Sequence, residues 1–149
     1  MRNILLIVAF LLVPFFGLAP FDVAEVSRGR IATTCVFLFT GIGHFLQSEP
    51  MSAMIPLQVP KPFRLPIIYA SGIFEIVAAI AVLVHGWSRA VGILLCLFLV
   101  GVLPANIDAA IRRVPFGGHG AGPNYLLVRI PLQVVLLCWI YWFEIRPAA

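Results

Sequence analysis

Glu75 stands near the middle of 66–84, PIIYASGIFEIVAAIAVLV, a run apolar enough to cross a bilayer. A carboxylate at the centre of a spanning helix costs about 2.5–3.5 kcal/mol on insertion scales, so it is usually turned inward, neutralised or paired with a donor from another helix. Four further polar side chains lie within or at the ends of other apolar runs: His44, Asn106, Arg129 and Gln133. Arg129 and Gln133 are spaced i, i+4 and share a helix face. Brought together, an acid, a base, a cation and two amides make the kind of polar pocket that a quinone headgroup, a proton path or a small polar solute requires. Each residue also has a plainer role open to it. Glu75 with Arg129 or Gln133 can be a buried pair that fixes helix register. His44 can be an interfacial hydrogen-bonder, and Asn106 can repair a backbone broken by Pro104.

Other chemistries fit less well. His44 has no second histidine at ligand spacing in its own segment, and His85 falls at the opposite end, so no metal site is expected. His119 shares a side with His44 but sits in a glycine-rich stretch read as a flexible loop, so no bis-histidine haem pair is expected. Cys35, Cys96 and Cys138 each fall inside an apolar run with no C-x-x-C, which suits small buried hydrophobes better than dithiol or iron–sulfur chemistry. No serine hydrolase motif is present, and the glycine-rich loop lacks the G-K-[ST] ending of a phosphate loop.

The elements that must position these residues are set by composition. With 62% hydrophobic and 11% charged residues in a chain of 149, this is no ordinary soluble domain. The reading is a single integral membrane domain of short-looped spanning helices. The net charge of +4 does not point to nucleic acid, because the basic residues are scattered at segment ends as interface anchors.

In chain order, the pattern predicts an N-terminal hydrophobic helix over 4–19. The Gly17-Leu18-Ala19 stretch followed by Pro20 is a poor cleavage site, so this helix is expected to be retained. Spanning helices are predicted over 28–46, 66–85, 87–109 and 124–143. A proline-rich loop occupies 47–65 and a glycine-rich loop 110–123. The tight break at 85–89 makes the second and third spans antiparallel neighbours. The fold class is therefore an all-α membrane protein: an antiparallel four-helix transmembrane bundle with the N-terminal helix added. In that arrangement His44 and Asn106 sit near one mouth, with Glu75 and Gln133 about 13 Å deep and Arg129 about 7 Å deep. The expected pairing is Glu75 with helix 124–143, and Pro50 to Pro66 is expected to cover the mouth.

Gly41-x-x-His44-Phe45, the Pro56, Pro60, Pro62 segment, Tyr69-x-Ser71-Gly72-x-x-Glu75, Pro104-x-Asn106 and Arg129-x-Pro131-x-Gln133 together resemble the DoxX-like family of small bacterial membrane proteins. The resemblance covers about Arg28 to Phe143 and rests on the ordered series. It implies a four-helix bundle in the bacterial cytoplasmic (inner) membrane and a loose association with redox chemistry, and it brings no agreed catalytic residues. Two functions follow as expectations. One is a redox-linked subunit that binds quinone beside other membrane or redox subunits, with no cofactor motif of its own. The other is a non-catalytic scaffold or assembly factor whose polar cluster is structural. Arg28, Arg30, Arg89 and Arg146 fall on one side and Lys61, Arg64, Arg112, Arg113 and the more deeply set Arg129 on the other, so the positive-inside rule does not choose an orientation. The resemblance places the Arg89 turn and the C-terminus in the cytoplasm and the His44 mouth outside.

Overall fold

The computed structural model describes residues 2–84 and 86–148. Six α-helices follow one another: α1 Arg2–Gly17, α2 Glu25–Leu46, the short α3 Ser48–Ser52, α4 Lys61–Ala81, α5 Ser88–Ile111 and α6 Leu126–Ile140. Five stretches, Asn3–Phe21, Glu25–Leu46, Lys61–Ala81, Ser88–Ile111 and His119–Ile145, are long and apolar enough to cross a membrane.

Several boundaries differ from the sequence reading. The helix expected to begin at 66 begins at Lys61, because Pro62 lies in the first turn, where the backbone N–H has no helical partner to lose. Pro50 is tolerated in the first turn of α3 for the same reason. The last helix starts at Leu126 after a 3-10 stretch, His119–Tyr125, and its end passes into a π-helical turn, Tyr141–Ile145. The expected end of the second span, His85, lies outside the described residues.

The helices are apolar on the outside as well as in the core, and the buried faces add small and polar residues to the apolar ones. On α4, Ile73, Val77 and Ile80 are exposed, whereas Gly72, Glu75 and Ala79 are buried. The spacing is helical in both sets, so one face meets lipid and the other its neighbours. Ile4, Ile7 and Leu11 form the inward stripe of α1, and Phe10 packs on Phe39 of α2 with ring centroids 4.8 Å apart. Val36, Val82, Leu95 and Ile140 bring α2, the end of α4, α5 and α6 into one core.

Helices α2 and α4 run in opposite directions. Thr34, early in α2, donates to the Ala79 carbonyl late in α4 (2.9 Å), and His44, late in α2, lies against Ile68, early in α4. One end of the molecule thus gathers the end of α2, the start of α4, the end of α5 and the start of α6.

Candidate functional site

The closest approach in the site is built from two matched tetrads, Gly41-Ile42-Gly43-His44 on α2 and Gly72-Ile73-Phe74-Glu75 on α4. A Cβ on Gly41 would lie 3.1 Å from the Gly72 carbonyl oxygen and 3.2 Å from Cβ of Glu75. One on Gly72 would lie 3.0 Å from the Gly41 carbonyl oxygen and 2.7 Å from Cβ of His44. Each glycine therefore makes room for the polar residue of the opposite helix, and the i, i+3 spacing keeps glycine and polar residue on one face. The result is a buried pair, with His44 Nε2 3.5 Å from Glu75 Oε1.

The protons of this pair are constrained. His44 Nδ1 lies 3.1 Å from the Ile68 carbonyl, an oxygen that can only accept, so Nδ1 carries a proton. Nε2 is thereby turned toward the carboxylate. Glu75 Oε2 is buried and has no hydrogen-bond partner.

The expected pairing of Glu75 with the last helix is not what forms. The paired glycines bring α2 nearest to Glu75, and His44 takes it. Gln133 faces α5 instead and donates through Nε2 to the Leu99 carbonyl at 2.6 Å. That oxygen is one residue from Val100, whose carbonyl Pro104 deprives of its helical donor. Asn106 donates to the Val102 carbonyl at 3.0 Å in the same disturbed stretch. Arg129 has no carboxylate within ion-pair distance among the described residues.

Two adjoining cavities, of about 360 and about 290 Å³, share a polar wall of His44, Glu75, Asn106 and Arg129. Gln133 lines neither. Their other walls are largely apolar, with Ile7, Met51 and Met54 common to both. Met51 and Met54 belong to the proline-rich segment, which Arg112 ties down. Its guanidinium donates to the carbonyls of Ala53 (3.0 Å), Met54 and Ile55 (both 3.2 Å), and Asp108 holds it at 2.7 Å.

His119, which sequence reasoning set aside, and Glu144, which it missed, are both well placed. His119, expected in a flexible loop, is 2% exposed and lines the larger cavity. Its Nδ1 donates to the Phe116 carbonyl at 2.9 Å, its ring meets Tyr125 edge-on, and its Nε2 is buried without a partner. Gly118 permits this turn: its φ is +105°, and a Cβ there would lie 2.5 Å from the Tyr125 ring. Glu144, one residue past the expected helix end, is fully buried at the opposite end of the molecule. Its Oε2 lies 3.5 Å from Arg30 Nε, and Arg30 also donates to Ser88 at 2.9 Å. The π-helical turn rotates Glu144 inward, toward the space left by Gly92.

An all-helical chain with five helices long and apolar enough to cross a membrane, and a partly polar chamber at one end, has the make-up of a multi-pass membrane protein. The chain belongs to the family described as a domain of unknown function (DUF8561), which matches residues 33–144 and so takes in every residue of the chamber's polar wall and Glu144. Neither curated proteins nor solved structures yield a match.

Proposed function

We propose that this chain is a redox-linked membrane subunit whose chamber holds the headgroup of a quinone. The observation that carries this reading is Arg129, a cation that lines both cavities with no carboxylate in ion-pair range among the described residues. An unpaired cation is costly in a membrane interior, so a ligand that offers it oxygen acceptors is favoured. A quinone does this with its carbonyls while remaining neutral, and the apolar walls suit its ring. When bound, a quinone supplies electron and proton exchange. The His44–Glu75 pair lies beside it as a site for proton exchange, and His119 Nε2 offers a buried acceptor. The chain has free thiols at Cys35, Cys96 and Cys138 and no electron-carrier motif, so electrons come from a partner subunit.

The finer architecture belongs to the same proposal. Helices α2, α4, α5 and α6 cross the bacterial cytoplasmic membrane as an antiparallel four-helix bundle of the DoxX-like kind, with α1 against α2 as a fifth span. The chamber opens toward the outside. Extraction in mild detergent followed by chromatography of bound lipids tests the function: quinone at near-stoichiometric amounts in the wild type, lost in Arg129→Leu, is the expected result. Protein without quinone, but with a stoichiometric protein partner, favours the scaffold reading. That second reading draws support from Asn106 and Gln133, whose amides are engaged with carbonyls of α5.

A further inference from the structure

Resting on the quinone reading, we propose that the ligand's isoprenoid tail leaves the chamber sideways, through a gap between α4 and α5 into the lipid. The smaller cavity shares the polar wall and extends to Ile67 and Ser71 on α4 and to Gly101 and Ala105 on α5. Ile67 is 40% exposed and Gly101 is exposed, so the void they line together with Glu75 and Arg129 reaches the outer surface of both helices. Toward the opposite end the gap is closed by Phe74 against Phe98, with ring centroids 4.9 Å apart.

Gly101 differs from the glycines that sit at helix contacts. A Cβ on Gly41, Gly72 or Gly92 would meet a neighbouring side chain at 2.7–2.8 Å, the mark of a packing glycine. A Cβ on Gly101 meets nothing within 4 Å. This glycine borders an opening rather than a contact. Met51, Met54 and Ile55 wall the smaller cavity at the end of the bundle, and Arg112 holds their segment in place. A ligand that partitions into the bilayer reaches the polar wall through the side. Its head then lies against Arg129 and its tail among Ile67, Phe98 and the exposed apolar faces of both helices.

The test uses the full chain in lipid nanodiscs and equilibrium binding of two benzoquinones with the same head, one with a short and one with a long isoprenoid tail. Gly101→Trp and Ile67→Trp narrow the gap from either side. Leu97→Trp, on the lipid face of α5 and away from the cavity, is the control. In either gap variant, affinity for the long-tailed quinone is expected to fall by about tenfold, the scale on which a few methylenes discriminate. The short-tailed quinone should bind within about twofold of wild type, and the control should alter neither. If one gap variant fails to fold, the other reads the same opening. Equal losses for both quinones, or no loss for either, overturn the lateral route while leaving the headgroup site standing. If wild type binds neither quinone, the functional reading itself falls.

Discussion

At the scale of residues, the site turns on which groups are coupled. His44 and Glu75 meet at 3.5 Å in a buried contact, whereas Arg129 reaches Glu75 only through the cavity. Contacting residues show interaction energies of about 0.5–3 kcal/mol, and groups without shared partners add within about 0.5 kcal/mol. In a detergent stability series, His44→Gln with Glu75→Gln is therefore expected to be less destabilised than the sum of its singles, by about 1–2 kcal/mol. Arg129→Leu with Glu75→Gln should come closer to additivity. If the Arg129 cycle showed the larger coupling, the pair would be misassigned. The sequence revealed the polar residues themselves, because an ionisable group in an apolar run stands out. It did not reveal their directions. Gln133 shares a face with Arg129 by spacing, yet its amide is drawn to the α5 backbone beside Pro104. His119 was hidden because a glycine-rich composition says nothing of a tight 3-10 turn. Glu144 was hidden because a π-helical turn shifts the face that sequence spacing assigns.

At the scale of elements, the α2–α4 contact and the α3 cover make separate predictions. Gly41 and Gly72 oppose each other's backbone, so Gly72→Ala must push the helices apart. Overpacking of this kind costs about 1–3 kcal/mol. Gly43, two residues from Gly41 on the same helix, faces open space: a Cβ there would meet nothing within 4 Å. Gly43→Ala should therefore gain up to about 1 kcal/mol from helix propensity. Thermal unfolding of the two variants should thus move in opposite directions; a shared sign would refute the contact. The G-x-x-H and G-x-x-E spacing was legible in the sequence, but only the contact showed that the two motifs interlock. The cover is held by one side chain. Replacing Arg112 with Ala releases three carbonyls at Ala53, Met54 and Ile55, and hydrogen exchange at the Met54 and Ile55 amides is expected to accelerate. Unchanged exchange would mean that the prolines alone hold the segment.

At the scale of the whole molecule, the two ends are built for different purposes. The His44 end leaves a chamber walled by His44, Glu75, Asn106 and Arg129. At the other end Arg30, Ser88 and Glu144 join α2, α5 and the turn after α6, and none of the three lines either cavity. That closed end behaves as a structural clasp. Removing one member of a buried ion pair leaves an uncompensated charge and costs about 3–5 kcal/mol, while replacing both by apolar residues of similar size is often neutral. Glu144→Leu alone should therefore destabilise the protein strongly, and adding Arg30→Met should restore most of the loss. Fourteen residues of α2 separate Arg30 from His44, about 21 Å along the helix. Sites so far apart, with no shared partner, are expected to add. Combining the apolar clasp with His44→Gln should give the sum of the two effects within about 0.5 kcal/mol, and the clasp variant should bind quinone as wild type does. A strong departure from additivity, or loss of quinone from the clasp variant, would show that the ends communicate through α2 and that Glu144 belongs to the working site.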